Sequence, residues 1–289
     1  MSDLSRCSLN TATVKHASLT EAVEAAAGAG LGAVGLWRHQ VQEAGAATAR
    51  KIVEDAGLRV SSLCRGGFLT ATSDEGVREA VADNERALIE AAEVGTSELV
   101  FVVGGLPGSA PEAPPAPGTD RDLVATRRRV ADRLADLAPI AERHGVRIVL
   151  EPLHPMFVAD RAVVSTLGQA LDLAAPFDAG TVGVVVDTYH VWWDPELQAS
   201  ILRAGREGRI AGYQVCDWNL PFAATALNSR GHVGDGYVDF ASISRWVAEA
   251  GYTGDVETEI FNAEIWAAPP AETAATVGAR FAEHVLPHL

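Results

Sequence analysis

The chain has 289 residues, of which 48% are hydrophobic, and this length suits one α/β barrel or two ordinary domains. The formal net charge of −15 argues against a nucleic-acid partner, because contacts with phosphates need a basic surface. The 3 cysteines lack CxxC spacing and are typical of a reducing cytosol rather than of a disulfide framework. Since neither a signal peptide nor a long apolar run is found, we expect a cytoplasmic protein that does not bind membranes.

Strand and helix patterns alternate along the whole chain. Strands are predicted at Cys7–Asn10, Ala33–Trp37, 60–63, 98–103, 146–150, 182–186, Ile210–Val215 and 256–261. This alternation indicates a parallel sheet, and its length fits a single (β/α)8 TIM barrel over residues 1–289. A doubly wound sheet would carry a glycine-rich turn after its first strand, whereas Asn10 is followed by Thr-Ala-Thr.

Residues 107–118 form a proline-rich insertion, PGSAPEAPPAPG, directly after the fourth strand. This composition cannot pack a core and predicts a mobile surface loop. Because loops that follow barrel strands lie on the functional face, an active-site lid or a partner-binding arm is the alternative interpretation.

The last four strands each end near an oxygen-bearing side chain, namely Glu151, Asp187, Gln214 and Glu259. Neighbouring strands lie about 4.8 Å apart, so side chains at these ends can converge on one point. A lone acidic residue at such a position is usually a loop cap, but a buried group of carboxylates needs a compensating charge. The four residues therefore predict a divalent-cation site, whereas Glu257 is interpreted as facing the helices with a structural role.

Several motifs resemble those of the xylose isomerase-like TIM-barrel superfamily, in its sugar phosphate isomerase/epimerase branch. They are EPLHP at 151–155, DTYH at 187–190, DW at 217–218, RGHVGDG at 230–236 and EIF at 259–261. The motifs cover residues 147–262, and the N-terminal half resembles the family mainly by its strand–helix rhythm. The resemblance implies metal ligands at Glu151, Asp187, Gln214 and Glu259, and substrate contacts from His190 and Arg230.

Two positions depart from the family pattern. The usual third ligand in the family is His, but this chain has Gln214 at that position. Dehydroshikimate dehydratase-like members also carry Gln there. The ketose 3-epimerases carry a substrate-binding Glu shortly after the first ligand, but this chain has Met156 and Phe157 there. Because all of the implied ligands are oxygens, the expected ion is Mn²⁺, with Mg²⁺ or Co²⁺ as alternatives.

The resemblance and the residue types together assign roles to the remaining candidates. Glu151 and Glu259 are the expected proton-transfer pair, and His154 is a candidate general acid or a hydrogen-bond donor behind the site. Asn10 and Trp37 are the last residues of the first two predicted strands, and both are predicted to contact the substrate.

Three classes of function follow from these assignments. The first is a metal-dependent isomerase or epimerase of a sugar, keto-sugar or cyclitol that works through an enediolate. The second is a dehydratase or lyase on a polyol, a keto-glycoside or a dehydroshikimate-like compound. The third is an endonuclease IV-like phosphodiesterase, with Asp217 and His232 as zinc ligands, which the acidic composition disfavours. The expected partner is a small carbohydrate-like molecule, and a homo-oligomer is one of the oligomeric states left open.

Overall fold

The computed structural model describes residues 2–289 and contains a closed barrel of eight parallel strands. Around the barrel, the first strand pairs with the second and each strand with the next up to the seventh, after which the last strand closes the circle against the first. The barrel strands are β1 (Cys7–Asn10), β2 (Ala33–Trp37), β3 (Arg59–Gly67), β4 (Glu98–Val102), β5 (Arg147–Leu150), β6 (Val182–Asp187), β7 (Ile210–Val215) and β10 (Val256–Thr258). The predicted (β/α)8 TIM barrel is confirmed.

Helices connect the strands and cover the outside of the barrel. They are α1 (Leu19–Gly28), α2 (Arg38–Ala44), α3 (Ala46–Asp55), α4 (Asp74–Val94), α5 (Leu123–His144), α6 (Leu167–Ala174), α7 (Thr188–Val191), α8 (Leu197–Arg206), α9 (Phe240–Glu249), α10 (Ala263–Ala267) and α11 (Pro270–His284). Among residues 2–289 no helix has the length and apolar composition needed to cross a bilayer.

A short two-stranded antiparallel sheet, which the sequence patterns did not predict, follows β7. It pairs β8 (Asp217–Trp218) with β9 (Arg230–Gly231), and Trp218 lies opposite Arg230. The predicted eighth strand is shorter than expected, because β10 ends at Thr258 and Glu259 lies just beyond it. These two features bring Arg230 and Glu259 to the same end of the barrel.

The two faces of the barrel wall differ in polarity. Leu9, Leu36, Leu99 and Ile148 belong to the hydrophobic core between the strands and the helices. The Tyr213 hydroxyl contacts Ser244 on α9, so Tyr213 faces outward and the adjacent Gln214 faces the barrel interior. Small and polar side chains occupy much of that interior, and a cavity of about 700 Å³ opens into it among residues at the amino-terminal ends of the strands.

The proline-rich insertion joins β4 to α5 and therefore lies at the carboxyl end of the strands. The backbone N–H of Glu112 donates to Asp160, and the Glu112 carboxylate pairs with Arg161 at 3.0 Å. These contacts place the insertion against the segment that follows Glu151. A role as a lid stays a prediction.

Candidate active site

Three buried carboxylates at the carboxyl end of the barrel form what we call the acid cluster. Glu151 directly follows β5, Asp187 is the last residue of β6, and Glu259 lies just after β10. Their residues are only 6%, 1% and 5% exposed. Asp187 also caps α7, because its Oδ1 accepts a hydrogen bond of 2.8 Å from the backbone N–H of Tyr189.

Burial raises the pKa of every carboxyl group in the acid cluster. The pKa of Glu151 lies well above its usual range because of burial and the nearby charges of Asp187 and Glu259. Burial also raises the pKa of Asp187, and it raises that of Glu259 to about 7. Close carboxylates in a poorly solvated site disfavour one another's charge, so the cluster calls for positive charge nearby.

Arg230 supplies one such charge from β9. Its Nη1 lies 3.0 Å from Oε2 of Glu259 and 3.8 Å from Oδ2 of Asp187, and its side chain is 2% exposed. The guanidinium carbon lies 4.7 Å from the ring centroid of Tyr189 and 4.6 Å from that of Phe261. Two aromatic faces and two carboxylates therefore hold Arg230 at the site.

The same end of the barrel offers ligand atoms for a metal ion. Glu151, Asp187 and His190 each contribute one ligand atom, and these atoms lie within 4.8 Å of one another. Oδ2 of Asp187 and Oε1 of Gln214 are buried acceptors that have no hydrogen-bond partner, although their residues pair in register. Unpaired buried oxygens beside an excess of negative charge suit a hard divalent cation.

Both ring nitrogens of His190 lie within hydrogen-bond distance of a donor. Its Nδ1 accepts a hydrogen bond of 3.2 Å from the backbone N–H of His154, and burial together with Arg230 lowers its pKa well below the usual value. A neutral imidazole accepts at only one ring nitrogen, because the other carries the proton. Nε2 of His190 lies 3.7 Å from Glu151 Oε1 and 3.2 Å from Nη2 of Arg230, which can only donate. The tautomer therefore decides whether His190 presents a donor or a lone pair at Nε2 to the site.

The interpretation of Glu257 as a residue that faces the helices is wrong. Its carboxylate lies inside the barrel, where it accepts hydrogen bonds from Asn10, Ser61, Ser62 and Gln214. Residues two apart along a strand share a face, so Glu257 points to the same side as Glu259. Because every second residue of a strand shares a face, the spacing of Glu257 and Glu259 was the sequence signal that could have placed Glu257 inside the barrel.

The other predicted site residues lie around the acid cluster. Asn10 makes its hydrogen bonds inside the protein, with Glu257, the backbone N–H of Ala12, and Trp37 Nε1. That indole N–H also lies 3.3 Å from Glu259 Oε1. As substrate contacts, both residues stay predictions.

His154 stacks on Trp218, with ring centroids 4.8 Å apart, and burial lowers its pKa. Phe157 contacts the His190 ring edge-on at 5.7 Å, so an apolar face borders the site where some relatives are expected to place a carboxylate.

Asp217 is a structural residue that the sequence did not reveal. Its two carboxylate oxygens accept backbone N–H groups from Trp218, Gly234, Gly236 and Val238 at 2.8–3.0 Å. A Cβ at position 236 would lie 2.7 Å from Asp217 Oδ1 and 2.3 Å from the Trp218 carbonyl oxygen, so Gly236 is required for this close approach. Because both oxygens of Asp217 are used, the proposed zinc-ligand role of an endonuclease has no support here.

The fold and the acid cluster define a TIM barrel with a buried carboxylate site at the carboxyl ends of its strands. The family model described as xylose isomerase-like TIM barrel matches residues 23–283, and the chain belongs to this family.

Curated relatives and a solved structure extend this comparison. The chain is 26% identical to the 3-dehydro-D-guloside 4-epimerase of Escherichia coli K12 over 76% of its length and 78% of that protein's. It is also 26% identical to the ketose 3-epimerase of Arthrobacter globiformis, over 75% of its length and 69% of that protein's. The crystal structure of protein SMc04130 from Sinorhizobium meliloti 1021 is 41% identical, has a TM-score of 0.90, and matches over 98% of this chain and 99% of that one.

Proposed function

We propose that this protein is a divalent-metal-dependent epimerase or isomerase that acts on a sugar, keto-sugar or cyclitol through an enediolate. The observation that carries the proposal is the acid cluster, in which three buried carboxylates lie together and two of them, Asp187 and Glu259, pair with the guanidinium of Arg230. The two relatives are a 3-dehydro-D-guloside 4-epimerase and a ketose 3-epimerase, which supports a carbohydrate-like substrate.

The proposed ion is Mn²⁺, with Mg²⁺ or Co²⁺ as alternatives, and Glu151, Asp187, Gln214 and Glu259 would hold it. Two of these residues have a buried oxygen without a partner, and all four offer oxygen ligands. When bound, the ion would polarise a substrate carbonyl and stabilise the negative charge that develops on its oxygens.

The carboxylates of Glu151 and Glu259 are the proposed proton-transfer pair. Both carboxylates are buried at the carboxyl end of the barrel, on different strands, so both can reach one substrate carbon out of contact with bulk water. One carboxylate removes the proton beside the carbonyl, and the other returns a proton on the opposite face or on the neighbouring carbon. His154 is proposed as a positioning group, because it stacks on Trp218 and its backbone fixes His190.

His190 and Arg230 are the proposed substrate-oxygen donors. Nε2 of His190 and Nη2 of Arg230 lie 3.2 Å apart, and the guanidinium can only donate. When Nε2 of His190 carries the proton, both groups are donors, and a substrate carbonyl or hydroxyl oxygen would be the acceptor that both can reach.

A dehydratase or lyase activity is the second candidate function. It is favoured by the amide at Gln214 and by the apolar contact of Phe157 with His190. The same enediolate gives elimination when a leaving group lies on the adjacent carbon, so both activities share the first proton transfer.

Solvent-deuterium exchange tests the proposal. The purified protein is treated with a chelator, supplied with Mn²⁺, and incubated in D₂O with ketoses, 3-keto-glycosides and inososes. An epimerase or isomerase incorporates deuterium at the carbon beside the carbonyl and yields a product of unchanged mass apart from that label. A lyase instead yields a product that has lost water or an alcohol.

The Glu151→Gln variant is the matched control, because it keeps the size of the side chain and removes the base. It should lose turnover, and it should lose deuterium exchange from the epimer whose proton Glu151 removes. Full activity of the chelated protein, or turnover that survives in this variant, would contradict the proposal.

A further inference from the structure

The Glu257 carboxylate is a hub of hydrogen bonds inside the barrel, immediately below the acid cluster. Its Oε1 lies 2.7 Å from Nδ2 of Asn10 and 3.0 Å from Nε2 of Gln214, and its Oε2 lies 2.6 Å and 2.8 Å from the hydroxyls of Ser61 and Ser62. The residue is only 4% exposed. A Cβ at position 35 would lie 2.4 Å from this carboxyl group, so Gly35 leaves the room that Glu257 occupies.

The hydrogen bonds around Asn10 fix which groups donate to Glu257. Oδ1 of Asn10 accepts from the backbone N–H of Ala12 at 2.9 Å, and a backbone N–H can only donate. The amide nitrogen of Asn10 must therefore face Glu257, whose Oε1 acts as an acceptor. Gln214 contacts the same Oε1, so Gln214 also turns its NH₂ group toward Glu257.

This orientation determines where the amide oxygen of Gln214 lies. With its nitrogen on Glu257, the oxygen points to the other side, where it is buried and has no hydrogen-bond partner. Gln214 pairs in register with Asp187 on β6, and Oδ2 of Asp187 is the second buried oxygen without a partner. Donation of the amide hydrogen to a carboxylate also increases the negative charge on the amide oxygen.

We propose that Glu257 is a positioning residue that fixes the Gln214 amide with its oxygen toward the acid cluster, so that an amide serves as a ligand for the divalent cation. This inference rests on the proposed function. In metal sites with imidazole ligands, a carboxylate commonly accepts the second ring N–H and orients the ring. Glu257 orients the Gln214 amide in the same way, because without it the amide oxygen and nitrogen of Gln214 could exchange positions.

The same carboxylate also reaches Glu259 through two side chains. Asn10 donates to Glu257 and accepts from the indole N–H of Trp37 at 2.9 Å, and that N–H lies 3.3 Å from Glu259 Oε1. Glu257 therefore orients Gln214 directly and supports Glu259 indirectly. This network gives Asn10 and Trp37 a positioning role below the site.

Titration of the chelated protein with Mn²⁺, followed by calorimetry, tests the inference without relying on turnover. The Glu257→Leu variant removes the acceptor and should weaken Mn²⁺ binding by about 10- to 100-fold, which is the usual effect of losing a group that orients a ligand. The Glu257→Gln variant should stay within about threefold of wild type, because its carbonyl oxygen can face Gln214 while its NH₂ faces the two serine hydroxyls.

A double-mutant cycle with Gln214→Ala separates positioning from a general effect of charge. If Glu257 acts mainly through Gln214, adding Glu257→Leu to Gln214→Ala should cost much less Mn²⁺ affinity than the same substitution costs in wild type, with only the indirect support of Glu259 left to lose. Additive losses would overturn the proposal, because they would mean that Glu257 acts on the ion independently of Gln214.

The Glu98→Leu variant is the control for damage to folding, because it also removes a carboxyl group that borders the interior cavity, in this case one paired with Arg147. It should leave Mn²⁺ affinity unchanged. If Glu257→Leu does not fold, Glu257→Ser replaces it and should still lose at least about tenfold, since a hydroxyl can donate or accept and does not fix the amide.

The outcomes distinguish the two proposals. Wild-type protein that binds no divalent cation would contradict the proposed function. Wild-type protein that binds Mn²⁺ while Glu257→Leu binds it equally well would leave the proposed function standing and overturn only the role of Glu257.

Discussion

Nη1 of Arg230 lies 3.0 Å from Oε2 of Glu259, and both side chains are almost completely buried, at 2% and 6% exposure. Removal of one partner from a buried ion pair leaves an uncompensated charge, which is more costly than the loss of an exposed pair. Here removal of Arg230 would leave the buried carboxylates of Asp187 and Glu259 without their cationic partner, so Arg230 stabilises the acid cluster.

Arg230→Ala should lower the free energy of unfolding of the chelated protein by about 3–5 kcal/mol. Mn²⁺ should stabilise this variant more than it stabilises wild type, because the ion replaces part of the missing positive charge. Substrate binding should weaken while Mn²⁺ is retained. Denaturation curves with and without Mn²⁺, together with metal analysis, measure these effects.

Arg230→Lys is the matched control for charge, since it keeps the cation but lacks the planar fork of guanidinium donors. Its stability should lie between those of wild type and Arg230→Ala. Loss of metal from Arg230→Ala would show that the residue holds the ion site together rather than the substrate.

Asp217→Asn should destabilise the protein by about 3 kcal/mol, because one carboxylate oxygen that accepts two backbone N–H groups is replaced by a donor. The side chain holds the loop between β9 and α9, and Trp218 pairs with Arg230 across the two-stranded sheet. KM should therefore rise together with the loss of stability. Urea denaturation and steady-state kinetics check both results.

Asp235→Asn provides the comparison for Asp217→Asn. Asp235 pairs with Arg280 at 2.7 Å, and both side chains are 34% exposed. Loss of such a partly exposed pair should cost less than about 1 kcal/mol. Equal effects of the two substitutions would contradict the clamping role of Asp217.

Gln214→His should shift metal preference toward Zn²⁺ or Co²⁺, because imidazole favours these ions over Mn²⁺. An imidazole N–H can still donate to Glu257, so the new ligand keeps an orienting partner. We expect the ratio of Zn²⁺ to Mn²⁺ affinity to rise at least tenfold in competition titrations. An unchanged ratio would mean that residue 214 does not bind the ion.

Glu98 should make stability depend on pH at the opposite end of the barrel. Burial raises the pKa of its carboxyl group from the usual 4.5 to about 7, although Arg147 opposes this rise. Folding therefore favours the protonated form, and the resulting stabilisation is complete below about pH 4.5 and is lost as the pH rises through about 7.

Glu98→Gln should remove this contribution, which is on the order of 2–3 kcal/mol between pH 5 and pH 8. Chemical denaturation at several pH values measures the change in slope relative to wild type. Glu93→Gln, at an exposed position on α4, should keep the wild-type slope. A wild-type slope in Glu98→Gln would contradict the assignment.

The sequence by itself was sufficient to predict the barrel and the acid cluster. The β-branched run of β6 ends at Asp187, and Glu151 follows an equally apolar strand, so local patterns place both carboxylates at strand ends. Such patterns work because the alternation of strands and helices is repeated along the chain and each strand end is marked by a change in polarity.

Tertiary structure alone decided how the polar groups pair. Asn10 and Glu257 are 247 residues apart in the chain, and they meet only because β10 closes the barrel against β1. Arg230 reaches Glu259 because the Asp217 carboxylate accepts backbone hydrogen bonds from the loop that follows β9 and so holds that loop in place. Local patterns determine which residues form strands and where the strands end, but a hydrogen bond or ion pair forms only where closure of the sheet brings its two partners together.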